Sequence, residues 1–371
     1  MKKILIGYII DGETGGIDRY LTNLLKRIPF DNEEVQVDFL TNHITQQVEK
    51  NFSQYNNVNV YEIATLKHPI KQFHQTVALI KRNKYDITYF NISTALHCIG
   101  AIAAKKCGVK KRIIHAHASG IDSPNKWKRE ILTLINSVCK IFLHKQGTDF
   151  CACSQTAGAW LFPQKVLNSK SFKIIKNAID TRPYVFSSTK REEIRRALNL
   201  ENKLVVGHVG SFNYSKNHEF LLKIFEKLHL KNPQSVLMLV GDGPLYEQIV
   251  QRAKLMGLDD CVLFMGKRND TNDLMQAMDV FVLPSNFEGL GIVGVEAQVS
   301  GLPCIFSDRV PSDVVFTNNC SFLAIDKDSS ASEWAENILN IKSSQYRTDA
   351  AKLAEKAGYS MQVQDISFLL D

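Results

Sequence analysis

The chain has 371 residues, more than one typical domain, and two domains of roughly 180 residues each are the natural expectation. It is 44% hydrophobic and 22% charged, the balance of a soluble globular protein, and no apolar run approaches the ~20 residues that cross a bilayer. The formal charge of +7 divides into +12 over residues 1–183 and −5 over 184–371, which suits one domain to an anionic surface; with no zinc finger, RNA-binding aromatic signature or long Lys/Arg block, nucleic acid is not the expected partner.

The opening MKKILIGYII is too short an apolar run for a signal peptide, and it ends in Asp11 and Gly12, so it reads as a first strand and its loop. The runs VQVDFLT, VNVYEI, DITYFNI, RIIHAHA, DFCACS and FKIIKN follow in the first half. LVVGHVGS, SVLMLVG, CVLFMG, DVFVLP, PCIFS and SFLAI follow in the second. Stretches long enough for a helix separate them, which is the pattern of parallel sheets built from βαβ units. Apolar residues at three- and four-residue steps predict helices over 217–231 and 244–257.

Two basic stretches stand out in the first half. AAKKCGVKKR (103–112) concentrates five cations, and residues 125–145 interleave Trp127, Ile131, Leu134, Ile135, Val138 and Phe142 with basic residues. Such a helix rests on anionic lipid or packs its apolar face on the core, and the sequence leaves both open. The eight cysteines, Cys151 and Cys153 among them, show no C-x-x-C pair or ligand-like spacing and read as buried thiols of a reduced cytoplasm. A Pro- and Ser-containing joint after NAID places the domain boundary near residue 183. The expected fold class is therefore α/β, with two doubly wound, Rossmann-like domains over 1–183 and 184–371 and a ligand cleft at the carboxyl ends of their strands. The tail SMQVQDISFLLD reads as a helix that packs on either domain.

The segment SNFEGLGIVGVEAQVSGLP, from Ser285 to Pro303, carries the chemistry. Glu288 and Glu296 have seven residues between them, Gly289, Gly291 and Gly294 included. DVFVLP reads as a strand ending at Pro284 and GIVGVEAQVSG as a helix closing at Gly301, so Glu288 sits in the loop and Glu296 inside the helix. The glycines let the backbone approach a ligand, and the helix's first N–H groups make an anion site suited to a diphosphate. Carboxylates beside it suit sugar hydroxyls, through hydrogen bonds worth roughly 1.5–3 kcal/mol each. The spacing alone also fits an exposed pair of glutamates. In VGDGP, Gly241 and Gly243 give G-x-G without the third glycine, so the dinucleotide fingerprint fails. His115 and His117 end a strand two residues apart and so share one face. No D-x-D pair stands at a strand end, so no catalytic metal and no cofactor are expected.

The segment EGLGIVGVEAQVSGLP resembles the E-x₇-E signature of the retaining nucleotide-sugar glycosyltransferases of family four, which have the GT-B fold. GGIDRYLTNLL, HVGSFNYSKNHEFL, LMLVGDGP, FMGKRND and AMDVFVLPS occur in that family's order, and the likeness is to its exopolysaccharide and capsule branch. The resemblance implies that Glu296 binds the nucleotide's ribose and Glu288 the transferred sugar. It implies that Lys216 and the amides of Leu290, Gly291, Ile292 and Val293 meet the diphosphate. Gly15 and Gly16 would face the donor phosphates, Gly243 the nucleotide pocket, and His117, or else His115, the transferred sugar. The family's arginine five residues before the lysine is replaced by Ser211, a position for which Arg268 or Lys267 would partly substitute, and the family's N-G-I-D appears as Asn177-Ala178-Ile179-Asp180. The implied activity is transfer from a UDP-sugar to a saccharide of a surface polysaccharide, and the two basic stretches suggest peripheral attachment to the inner face of a bacterial membrane, near a lipid-linked acceptor. A dTDP-rhamnose donor, a sugar-nucleotide epimerase of the same architecture and a non-catalytic partner of a transferase are the competing readings.

Overall fold

The computed structural model describes residues 1–10, 15–28, 34–326, 330–341, 347 and 350–370. The chain forms two compact units. The first comprises Met1–Ile121, Trp127–Ala178 and Gln364–Asp371, and the second Asp122–Lys126 and Ile179–Val363. Each of the thirteen apolar runs forms a strand.

In the first unit these are β1 (Lys2–Gly7), β2 (Val35–Thr41), β3 (Val58–Glu62), β4 (Ile87–Ile92), β5 (Lys111–Ala116), β6 (Asp149–Ala152) and β7 (Phe172–Ile174). They pair in parallel in the order β3-β2-β1-β4-β5-β6-β7. Helices cover the sheet's faces, so a central strand such as β4 is buried at every residue and reads as unbroken rather than alternating. Ile4, Ile6, Leu21, Leu24, Phe39 and Tyr89 form the core. The chain's last residues join it. Phe368 packs edge-on against Tyr89 with ring centroids 5.7 Å apart, and the Gln364 amide donates to the Lys176 carbonyl at 3.0 Å.

The second unit holds β8 (Leu204–Val209), β9 (Ser235–Val240), β10 (Val262–Phe264), β11 (Val280–Leu283), β12 (Cys304–Ser307) and β13 (Cys320–Leu323). The order is β10-β9-β8-β11-β12-β13, again all parallel. This unit begins ahead of residue 183 because Ile179 pairs with Ser360 and its N–H donates to the Tyr359 carbonyl at 2.8 Å. The joint is therefore a strand-like contact within the second unit and the prolines follow it.

The charged helix Ser188–Ala197 is anchored on the buried Asp279, whose carboxylate receives Arg191 at 2.5 Å, Arg195 at 3.1 Å and the Val205 N–H at 2.8 Å. One side chain thus ties this helix to the starts of β8 and β11. Asp279→Ala leaves two partly buried guanidinium groups without their carboxylate and is expected to cost about 3–5 kcal/mol. Denaturant unfolding checks this, and a midpoint equal to that of the parent chain contradicts it.

Candidate functional site

The strand order of the second unit reverses between β8 and β11, so the loops leaving their carboxyl ends lie side by side. The loop after β8 makes a short turn, Tyr214–Lys216, and the loop after β11 runs through Glu288 into the helix Ile292–Val299. Three asparagines hold these loops, one by shaping the turn after β8 and two by fastening one loop to the other. Asn213 accepts from the Ser215 hydroxyl (2.9 Å) and the Lys216 N–H (3.3 Å). Asn286 donates its side-chain amide to the Tyr214 carbonyl and its backbone N–H to the Ser215 carbonyl, both at 2.7 Å. Asn217, at a φ of +56° that asparagine tolerates better than most residues, donates to the Pro284 carbonyl at 3.1 Å.

This fastening sets the central contact. Lys216 Nζ lies 2.6 Å from Glu288 Oε1, and the Ser285 hydroxyl donates to the same oxygen at 2.7 Å. Only 15% of the Lys216 side chain and 11% of the Glu288 side chain are exposed, so the pair is poorly screened by water. The lysine stem crosses Gly210, where a Cβ would lie 3.0 Å from Cε. Glu296 is buried in the following helix. Gly291 caps that helix at φ +83°, and a Cβ on Gly294 would approach the Phe306 ring to 2.9 Å, so a close-packed helix start needs glycine at both positions. Gly289, Leu290 and Val293 are buried and Ile292 is half-buried. One cation, two carboxylates and a helix amino end are thus assembled within a single unit, a set able to hold an anion and several hydroxyls.

The other expected residues are placed differently. Ser211 is exposed, and its carbonyl accepts from the Asn213 N–H at 2.8 Å. Arg268 follows β10, two strands from β8, and its guanidinium forks onto Asp270 at 2.8 and 2.6 Å, so it is not brought to the Lys216–Glu288 pair. Asp180 is likewise held by Arg182 at 2.9 and 2.7 Å. Gly241 and Gly243 have a packing role. A Cβ on Gly241 would lie 2.1 Å from the Gly210 carbonyl oxygen, and one on Gly243 would lie 2.7 Å from the Phe212 amide nitrogen. They let the loop after β9 cross the loop after β8.

In the first unit, Gly15 and Gly16 open the helix Gly15–Leu25, and a Cβ on either would meet nothing within 4 Å. Residues 11–14 of the expected loop lie outside the described residues. His115 and His117 do share one face, with ring centroids 4.0 Å apart. His115 is fully buried, its Nδ1 within 2.5 Å of the Tyr89 hydroxyl, which in turn meets the Tyr20 hydroxyl at 2.7 Å. His117 is half-buried, with Nε2 against Asn91 Oδ1 at 2.8 Å, and burial pushes its pKa down to about 3. Cys151 and Cys153 are buried and form no disulfide among the described residues. Sequence reasoning missed the three asparagines, Ser285 and Asn91. The asparagines flanking Lys216 and preceding Glu288 were a usable signal, since asparagine caps turns.

Residues 190–360 match the family described as glycosyl transferases group 1. The EpsF protein of Bacillus subtilis (strain 168), named for a glycosyltransferase, is 31% identical over 318 residues, 84% of this chain and 81% of that one. A UDP-Gal:alpha-D-GlcNAc-diphosphoundecaprenol alpha-1,3-galactosyltransferase of Escherichia coli is 29% identical over 246 residues, 65% of this chain and 61% of that one. The crystal structure of Anabaena HepE in complex with UDP-glucose matches with a TM-score of 0.77 at 20% identity, over 99% of this chain and 98% of that one, a likeness of fold.

Buried imidazoles give the chain a pH dependence. Burial lowers the pKa of His208 to about 4 and that of His115 well below the ordinary value. An unfolded chain protonates these rings as pH falls through ~6.5, while the folded chain keeps them neutral. Their contribution to stability is therefore complete above that pH and lost progressively below it, by about 2 kcal/mol per ring at pH 5. Calorimetric scans are expected to show a lower Tm at pH 5 than at pH 7, and a flat profile across that range contradicts the assignment.

Proposed function

We propose that this chain, which belongs to the group 1 glycosyltransferases, of the family-four type with the GT-B fold, and acts in polysaccharide biosynthesis, is a retaining transferase that uses a UDP-sugar; that membership and the Lys216–Glu288 contact support the reading. The contact carries the proposal because it places a poorly screened cation and a carboxylate at one point, beside a helix amino end.

In this reading Lys216 exchanges Glu288 for the oxygens of the donor's diphosphate. The amides of residues 290–293 share that charge, a task that needs no divalent ion. Glu288, still held by Ser285, accepts from hydroxyls of the transferred sugar, and Glu296 accepts from the ribose. The bond from the sugar's anomeric carbon to the diphosphate breaks through an oxocarbenium-like state. The acceptor oxygen bonds to that carbon on the same face, and its proton passes to the departing phosphate. Support for a uridine nucleotide comes from the names of the Escherichia coli and Anabaena proteins.

We place the acceptor on a lipid at a membrane surface. The helix Lys126–Leu143 supports this, because Trp127, Ile131, Leu134, Ile135, Val138 and Phe142 are all exposed rather than packed on the core. Contiguous exposed apolar residues edged by lysine and arginine suit the interface of an anionic bilayer. No described helix is long and apolar enough to cross a membrane, so the proposed attachment is peripheral.

Lys216→Ala and Glu288→Gln are each expected to lower transfer by at least ~100-fold, the scale of losing one group that stabilises transition-state charge. Turnover with UDP-sugars reads this, and unimpaired rates in both variants refute the site. Calorimetry is expected to show UDP bound more tightly than dTDP, and equal or absent binding refutes the donor class. Sedimentation with vesicles is expected to show binding that grows with anionic lipid and weakens with salt, and that falls in Trp127→Glu/Leu134→Glu; binding indifferent to all three removes the membrane proposal.

A further inference from the structure

Residues Asp122–Lys126 group with the second unit although the chain on both sides of them belongs to the first. Asp122 shows what this excursion does. Its Oδ1 accepts from the Ser215 N–H at 3.1 Å, and its carboxylate also takes the Tyr214 N–H. Both donors lie in the turn whose third residue is Lys216.

The turn has few other ways to hold its shape. The Lys216 N–H goes to Asn213, and the Tyr214 and Ser215 carbonyls go to Asn286. The two remaining N–H groups are the ones Asp122 receives. Ser215 is 8% exposed, so an amide left there without an acceptor is costly to keep dry. The turn is one 3₁₀ turn of three residues, too short to be stiff by itself.

We infer that Asp122 is a positioning residue: it anchors the Tyr214–Lys216 turn and thereby holds the Lys216 ammonium where it meets Glu288. This rests on the reading of Lys216 as the diphosphate-binding cation. The hydrogen-bonding oxygen does the positioning, and the negative charge does not. Asp122 lies close enough to Lys216 and Glu288 to feel both charges, and its carboxylate has the same sign as the diphosphate. An asparagine with its oxygen in the same place would keep the Ser215 bond and relieve that repulsion.

The consequence is a definite order among variants. Asp122→Asn keeps an acceptor for Ser215, and Asp122→Ala keeps none. Asp122 is exposed, so both variants fold. The KM for the UDP-sugar and the calorimetric Kd for UDP are expected to rise about fivefold or more in Asp122→Ala, the scale of one lost hydrogen bond. In Asp122→Asn they are expected to equal those of the parent chain or fall. Hydrogen exchange read by mass spectrometry gives a second measure that needs no ligand: the peptide containing Ser215 is expected to exchange faster in Asp122→Ala and at the parent rate in Asp122→Asn. Equal weakening in both variants, equal tightening in both, no change in either, or unaltered exchange at Ser215 overturns the inference. A parent chain that binds no UDP while Asp122→Ala still speeds exchange at Ser215 refutes the reading of the site and leaves the anchor standing.

Discussion

A lysine and a glutamate held 2.6 Å apart with little water around them set the terms for the rest of the second unit. Removing two charges from solvent is expensive, and their attraction compensates only when the geometry is fixed and the remaining hydrogen-bonding capacity is met. The surrounding residues serve that requirement. Ser285 donates a second bond to the carboxylate oxygen, Gly210 leaves room for the lysine stem, Asn213 shapes the turn that carries the lysine, and Asn217 and Asn286 keep the two loops in register. An ordinary surface ion pair has none of this apparatus, and it would contribute little. Under the proposed function the arrangement is a charge kept available for exchange with a ligand.

The position of that contact follows from topology. In a doubly wound parallel sheet, loops from neighbouring strands diverge to opposite faces only where the strand order reverses, and a crevice opens there. β8 and β11 are the neighbours at that point, and they supply Lys216 and Glu288. Glycine serves two purposes around it. Gly291 takes a conformation other residues avoid, at the start of the helix that ends the loop. Gly241 and Gly243 are required by neighbouring backbone, since a Cβ on either would strike the loop after β8. A G-x-G pattern is therefore compatible with loop-on-loop packing as well as with ligand approach.

The architecture was legible in the sequence because burial on both faces of a parallel sheet writes each strand as an unbroken apolar run, and all thirteen runs became strands. The E-x₇-E spacing was legible for a similar reason, since it lies along one continuous strand, loop and helix. Relations across the chain were hidden. Nothing local ties Asp122 to Ser215 or Asn286 to Tyr214. The ranking of His117 over His115 rests on the resemblance, and what separates them in the structure, the tyrosine pair behind His115 and Asn91 against His117, is contributed by other elements. The apolar face at 127–142 had a periodicity that fits burial and exposure equally, and side-chain exposure alone decides between them.

Ser211 brings these constraints together. In the proposed reading the family's arginine would add a bidentate positive fork beside Lys216. Arg268 does not fill the gap, since its fork is taken by Asp270 on a loop two strands away. In the proposed reading a diphosphate bound there meets Lys216 as its side-chain cation, and the backbone shares the remaining charge. That places the burden on the amides at the start of the helix Ile292–Val299, whose partial positive charge cannot be mutated away and is not lost by deprotonation. The glycines at that helix start sit against Leu283 and Phe306 with no space to spare, which fixes the orientation of those amides.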